Sequence, residues 1–395
     1  MFLLLKTYKT EIDPTPKQKQ KINKTIGTCR YIYNFYLAHN KELHEEGKPF
    51  QSAKAFSVWL NNEFLPAHPE CSWIQEVSSK SVKKAMEDAN TAFTRFFNGQ
   101  SGFPRFKKKY KSDVKMYFVK NNEKDCQCER HRIKIPTLGW VKLKEKGCIP
   151  TTREGFVIRS GTVSRKAGRY YVTAVVDLPV SEKPTPAGDG LGIDLGIKEL
   201  AVLSDGTVKK NINKTSRVRK LEKKLKREQR CLSRKYEDLK KRKDKQNKQK
   251  GEATRQNIQK QKLKVQKIHQ KLDNIRSDYI NKCVSEIVKT KPSYITIENL
   301  NVSGMMKNRH LAKAVASQKF YEFRAKLTAK CREMGIELRV VDRWYPSSKT
   351  CHACGRIKKD LKLSDREYVC ECGYHADRDL NASLNLRDAK AYVIA

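Results

Sequence analysis

The run Leu191-Gly192-Ile193-Asp194-Leu195-Gly196-Ile197 constrains this chain most, because it sets a carboxylate inside a strand otherwise built for a core. Burying an ionised carboxylate costs several kcal/mol unless a cation or a hydrogen-bond donor compensates it. The flanking glycines let another backbone or a substrate come close. The same problem recurs at Glu298, which ends the apolar run Tyr294-Ile295-Thr296-Ile297. It recurs again at Asp379, in Asp377-Arg378-Asp379-Leu380-Asn381-Ala382-Ser383 near the start of a last short helix. Singly, these acids read as a turn carboxylate, a strand-end acid and an N-cap. Together, on core elements, they imply bound divalent metal. Two Mg²⁺ ions roughly 4 Å apart can activate water and stabilise the leaving 3′-oxygen of a phosphodiester.

Charge narrows the substrate class. The chain has 395 residues, with 84 Lys and Arg against 43 Asp and Glu, a formal net charge of +41. Such a chain repels itself unless a polyanion neutralises it, and 16 Tyr, 14 Phe and 4 Trp argue against disorder. No apolar run approaches the roughly 20 residues of a spanning helix. Met1-Phe2-Leu3-Leu4-Leu5 is too short for a signal peptide and leads into a strand. The reading is an intracellular protein that works on nucleic acid.

The cysteines divide unevenly. Eight of twelve are scattered, and four fall within 22 residues as Cys351-His352-Ala353-Cys354 and Cys370-Glu371-Cys372. Short pairs on two turns supply the four tetrahedral ligands of one structural zinc. The second pair is tighter than the usual C-x₂-C, and His352 or His375 could replace a weak ligand, although four thiolates are simplest. Cys126, Cys128 and His131 form a weaker candidate without a clear fourth ligand.

Periodicity outlines two parts. Thr15-Pro16 starts a helix that carries Ile22, Ile26, Cys29, Tyr33 and Tyr36, and further helices are predicted over Ala53–Phe64 and Ser78–Phe97. Strands follow between Val114 and Val180, so the opening strand and these later ones make one β unit with a helical insertion. A Pro-rich linker, 181–188, leads to strands at Leu191–Ile197, Leu200–Leu203, Tyr294–Glu298 and Ile336–Val341, a mixed α/β sheet. Between the second and third of these lies a basic insertion. Lys209 to Arg276 holds 27 Lys and Arg against 7 Asp and Glu. Leu221, Leu225, Leu232, Tyr236 and Leu239, then Ile258, Val265, Ile268, Leu272, Ile275 and Tyr279, keep helical spacing, which predicts an antiparallel helical hairpin around Gly251.

The ordered motifs Gly192-Ile193-Asp194-Leu195-Gly196, Ile297-Glu298-Asn299-Leu300, Ser347-Ser348-x-x-Cys351-x-x-Cys354, Cys372-Gly373 and Asp377-Arg378-Asp379-x-Asn381-Ala382 resemble the TnpB family of transposon-encoded RNA-guided nucleases, relatives of the type V CRISPR effectors. Gly102-Phe103-Pro104-Arg105-Phe106-Lys107 is similar to the family too. The resemblance implies an α/β multidomain protein with an RNase H-like (RuvC) nuclease domain over 189–395. That domain would contain a basic hairpin, 209–280, and a zinc module, 346–376. A wedge-like β-barrel over 1–14 and 100–180, interrupted by a helical recognition unit, 15–99, is implied as well. Asp194, Glu298 and Asp379 would hold two Mg²⁺ and act as the catalytic triad. Asp379 is preferred to Asp377 on the Asp-x-Asn-Ala match. Cys351, Cys354, Cys370 and Cys372 would hold the zinc.

The implied partners are a guide RNA from the transposon end and target double-stranded DNA, cleaved next to a short flanking motif by a monomer with RNA in a prokaryotic cytoplasm, nucleoid-associated. Arg105, Lys107, Lys108, Lys240, Lys241, Arg242 and Lys243 are nucleic-acid contact candidates, and Phe103, Phe106, Tyr117 and Phe118 are candidates for stacking or wedging. Two other readings keep the same domain: a nuclease-inactive guided repressor, which the complete set of acids disfavours, and a DNA transposase.

Overall fold

The computed structural model describes residues 4–109, 111–122, 125–178, 185–244, 251–362 and 365–395. The chain separates into two compact units, Met1–Ser181 and Glu182–Ala395. Part of the Pro-rich linker, 181–184, lies outside the described residues.

In the first unit β1 (Leu4–Asp13) leads into α1 (Pro16–Glu45). Thr15 caps that helix: its Oγ accepts from the Gln18 N–H, and the Gln18 side chain accepts from the Thr15 N–H. Next come α2 (Ala53–Trp59) and α3 (Ser79–Phe97). The helix predicted to end at Phe64 continues through a π-helical turn, Leu60–Phe64, to Ala67. Its apolar residues Phe56, Leu60 and Leu65 pack with Tyr36 and Met86 into the helical core.

Seven strands form the β unit: β1, β2 (Met116–Val119), β3 (Cys128–Glu129), β4 (Arg132–Ile135), β5 (Gly139–Leu143), β6 (Val157–Lys166) and β7 (Arg169–Leu178), in the order β2-β6-β7-β1-β5-β4-β3. β1 pairs antiparallel with β7 from Leu4↔Leu178 to Ile12↔Tyr170, so the opening strand does join the later ones across the helical insertion. The expected barrel is not closed by hydrogen bonds among the described residues, since no ladder joins the short edge strands β2 and β3. Residues from both ends, Met116 and Phe118 with Cys128 and Ile133, nevertheless share one core. Phe118 is 2% exposed and belongs to that core, whereas Phe103 and Phe106 are each 52% exposed. Strand alternation turns Phe118 inward; the irregular segment that carries Phe103 and Phe106 imposes no such direction.

The second unit is built on a six-stranded sheet: β8 (Leu191–Leu195), β9 (Ala201–Leu203), β10 (Val208–Lys209), β11 (Tyr294–Glu298), β12 (Glu337–Val341) and, after the two strands β13 (Glu367–Val369) and β14 (His375–Asp377) of a separate hairpin, β15 (Val393–Ile394). The order is β10-β9-β8-β11-β12-β15, with β8, β11 and β12 parallel. The Asp205-Gly206 turn joins β9 to β10, Gly206 adopting a φ of +84° that favours glycine. One face packs Leu191, Ile193, Ile295 and Ile297 against helices. The basic insertion forms α4 (Ser216–Asp244) and α5 (Gly251–Lys289). Val218, Leu221 and Leu225 of α4 meet Ile268, Leu272 and Ile275 of α5, so the hairpin seam is real at its base. Tyr236, assigned to the seam, is instead exposed, and Gly251 opens α5. The connection 245–250 and the side chains of Arg242 and Lys243 lie outside the described residues.

Beyond β11 come α6 (Ala312–Gln318) and α7 (Phe320–Met334), the latter ended by Gly335 at φ +71° as its C-cap. α7 buries Phe323 and Leu327 on the same face of the sheet as the end of α5. The opposite face receives α8 (Arg378–Arg387). A Cβ on Gly192 would lie 1.9 Å from the Ser383 carbonyl oxygen and 2.5 Å from the Arg387 nitrogen. Only glycine admits α8 this close to β8. That contact positions the site.

Candidate active site and thiolate centre

Parallel pairing sets the first two acids side by side. Thr296 is opposite Gly192 and Ile297 opposite Ile193, so the next step of the same register brings Glu298 beside Asp194. Both project from the face that α8 covers, at the C-terminal ends of their strands. Asp377 caps α8: its Oδ1 accepts from the N–H of Asp379 at 2.9 Å and of Leu380 at 3.2 Å. The capping carboxylate is thereby engaged, and Asp379, in the first helical turn, faces the strands instead. Burial drives the Asp194 carboxyl well above the usual carboxylate range, and the charges of Glu298, Asp379 and Asp377 add to the rise while Arg378 opposes it. Burial also raises Glu298, against the donated hydrogen bond of Ser347. Arg378 Nη2 lies 3.5 Å from Asp379 Oδ1.

The structure thus sets Glu298 and Asp379 close enough to Asp194 for their charges to raise its carboxyl, an arrangement that favours a bound cation. Their oxygens are hard donors of the kind Mg²⁺ takes. Among the described residues, however, they do not meet the spacing of a single-ion ligand group.

That spacing is met by the thiols. Cys351, Cys354, Cys370 and Cys372 place their sulfurs within 4.8 Å of one another. Cys351 to Cys372 and Cys354 to Cys370 are each 3.7 Å. A tetrahedron with Zn–S bonds of about 2.3 Å has S···S edges of about 3.8 Å, so the donor set fits zinc. Two turns make this geometry. Gly355 and Gly373, just past each pair, have φ of +75° and +87°, and their N–H groups bond back to the carbonyls of Cys351 and Cys370. The tighter Cys-x-Cys pair therefore reaches. His352 and His375 lie outside the group, and so do Cys126, Cys128 and His131. Cys126 and Cys128 are buried in the β-unit core, where burial pushes the Cys128 thiol up to about 12.

Several residues of the site carried little signal in the sequence. Ser347 donates to Glu298, and Asn381 and Asn385 of α8 hold the segment that leads into Cys351. Arg378 brings a cation among the acids. A serine or asparagine in a motif is silent about which atom it will meet; only the four-residue spacing of the two asparagines marks a shared helix face.

Arg105, Lys107 and Lys108 fall in the irregular segment between α3 and β2. Asn34 grips that segment, its Nδ2 donating to the Lys107 carbonyl and its Oδ1 accepting from the Lys107 N–H. Lys107 Nζ sits 4.6 Å from the centre of the Tyr33 ring. Lys240 and Lys241 are exposed near the end of α4.

Residues 1–49 match a family described as a helix-turn-helix domain, 173–309 one described as "Probable transposase" (OrfB_IS605), and 320–386 one described as a Cas12f1-like TNB domain. In this structure the described part of the first segment is the strand β1 and the single helix α1. "Putative RNA-guided DNA endonuclease InsQ" of Escherichia coli (strain K12) is 31% identical, over 99% of this chain and 94% of its own length. A protein of the same description from Streptomyces pristinaespiralis is also 31% identical, over 96% of this chain and 88% of its own. The fold is shared with Cas12f1 in the cryo-EM structure of its complex with sgRNA and target DNA, at a TM-score of 0.59 and 14% identity over 98% of this chain and 99% of that one. With relatives of this identity along nearly its whole length, the chain belongs to the OrfB_IS605 (TnpB) family.

Proposed function

We propose that this protein is an RNA-guided DNA endonuclease whose RNase H-like domain hydrolyses phosphodiesters of a target next to a short flanking motif. The observation that carries this reading is the convergence of Asp194, Glu298 and Asp379 on one face of the sheet, where burial and mutual repulsion raise Asp194. Mg²⁺ held there would supply an activated water and charge stabilisation at the leaving oxygen. The protein's own part is to hold three carboxylates at the strand ends. The relatives' description as RNA-guided DNA endonucleases supports the same reaction. Sequence recognition would fall to guide pairing. The β unit with its helical insertion would serve as the wedge and recognition parts. Exposed Phe103 and Phe106 beside Arg105 and Lys108 suit stacking and phosphate contact there. Sequencing the RNA that copurifies with the full-length protein tests this reading. A defined transposon-end transcript is expected, and a preparation free of RNA would refute it.

The thiolate centre is proposed to hold one structural zinc. Metal analysis should find one zinc per chain, and Cys354→Ser should loosen the module from Pro346 to Ala376, seen as faster amide exchange, because folding and binding are coupled at such sites. A zinc-free, equally protected module would remove the assignment.

The basic hairpin is proposed to contact the guide RNA. Its phosphates would balance the charge of α4 and α5, with counterion release as the driving force. RNA affinity should fall by about 10³-fold or more between roughly 50 and 200 mM salt if six or more contacts form. Charge reversal at Lys240, Lys241, Arg242 and Lys243 should weaken binding and flatten that slope. An unchanged affinity and slope would leave the hairpin without this role.

A further inference from the structure

Ser347 is 3% exposed, and its hydroxyl donates to Glu298 Oε1. It lies on the segment that runs from β12 into Cys351, the first thiolate ligand. That segment is held from one side by α8. Asn385 Nδ2 donates to the carbonyl of Ser347 at 2.8 Å and to that of Thr350 at 2.7 Å. One turn earlier, Asn381 Nδ2 donates to the Thr350 carbonyl at 2.8 Å, and its Oδ1 accepts from the His352 N–H at 3.1 Å. Tyr345 closes the arrangement by donating its hydroxyl to the Asn385 carbonyl at 3.0 Å. Asn381 and Asn385 are themselves buried.

One helix therefore does two things. Its first turn carries Asp379 toward the strands, and its next two turns fix the backbone that delivers Ser347 to Glu298. The chemistry of the donor matters. A lysine or arginine on Glu298 would cancel the charge needed to hold a cation, and an apolar residue would leave the carboxylate free to rotate. A neutral hydroxyl fixes one oxygen while the charge stays and the second oxygen is left for a ligand role. Hydrogen-bond partners of this kind orient metal-binding carboxylates, and their loss typically weakens metal affinity by about 10–100-fold.

We infer that Ser347 is a positioning residue for the nuclease centre: held in place by Asn381 and Asn385, it orients Glu298 for divalent metal, and so ties the thiolate module to the carboxylate site. This inference rests on the metal-dependent nuclease reading above. It makes the C-terminal module more than a separate fold, since loosening the segment before Cys351 would release Glu298.

The test uses the full-length protein with its copurified RNA and Fe²⁺ as the probe. With ascorbate and peroxide, bound Fe²⁺ generates radicals that cut the polypeptide beside its site, which separates metal at the carboxylates from metal on RNA. Wild type should give cuts near residues 194, 298 and 379, suppressed by Mg²⁺. Ser347→Ala, which deletes one oxygen and cannot overpack, should need about 10–100-fold more Fe²⁺ for half-maximal cutting. Ser347→Thr keeps the hydroxyl and should stay within about threefold of wild type. Zinc content, unchanged in both variants, reports an intact module. Cutting by Ser347→Ala at wild-type Fe²⁺, with Asp194→Ala uncut, would overturn the role of Ser347 and leave the nuclease reading standing. Equal shifts in the Ala and Thr variants would reduce Ser347 to packing and overturn it as well. Unchanged cuts in Asp194→Ala would instead refute the metal site itself.

Discussion

Replacing Asp194 with Ala is expected to abolish target cleavage while RNA and DNA binding stay within a few-fold of wild type. The reason is positional. Asp194 is buried near the end of its strand, where burial and the charges of Glu298 and Asp379 raise its carboxyl. The Asp194 carboxylate itself repels a phosphate unless a metal cation intervenes. Loss of one such group typically removes several orders of magnitude in rate, and groups that act as a unit do not add. Glu298→Ala and Asp379→Ala should therefore each resemble Asp194→Ala, and the double variants should be little worse. Asp377→Asn serves as a contrast: its oxygen caps α8, and the amide oxygen of Asn can still accept the two N–H bonds. That variant should retain cleavage. A fully active Asp379→Ala protein would transfer the third role elsewhere and break the assignment.

The second large effect is on stability. Gly192→Ala should destabilise the second unit by about 3 kcal/mol or more, because the new methyl would sit 1.9 Å from a backbone oxygen of α8. Backbone cannot rotate away as a side-chain tip can, so the helix must lift. Lifting it withdraws Asp379 from Asp194, and cleavage should fail along with stability. Gly27→Ala makes the control, since nothing lies within 4 Å of its Cβ position in α1. There alanine should be neutral or stabilising by up to about 1 kcal/mol. Denaturant unfolding followed by amide exchange would separate the two. A Gly192→Ala protein as stable as wild type would mean that α8 does not pack as described.

Much of this arrangement is legible in the amino-acid sequence. Apolar runs with β-branched residues mark β8, β11 and β12, and a carboxylate in such a run is conspicuous because burial penalises it. The base of the hairpin is legible for a similar reason: Ile268 and Leu272 recur on one face of a helix that is otherwise charged. Legibility fails where the partner is remote. Ser347 and Glu298 are 49 residues apart, and no local pattern announces their hydrogen bond. It fails for very short elements too. β3, β10 and β15 have two residues each, too few for alternation to register, and the two-residue β15 docks only because β12 presents an open edge. Aromatic residues are ambiguous for a third reason. Phe103 and Phe118 look alike as letters, and exposure separates them only once the strand carrying Phe118 has a core to face. Tyr236 illustrates the same limit on α4: it keeps the helical spacing of the seam, yet 47% of it is exposed.

The proposed nuclease function is tested most directly by supplying the RNA-bound protein with Mg²⁺ and plasmids that carry a randomised flank beside either a sequence complementary to the copurified guide or a scrambled one. Guided cleavage predicts double-strand breaks only in the complementary plasmids, only beside a recurring short flank, and none with Asp194→Ala. Breaks that ignore complementarity, or that persist in the Asp194→Ala protein, would contradict it.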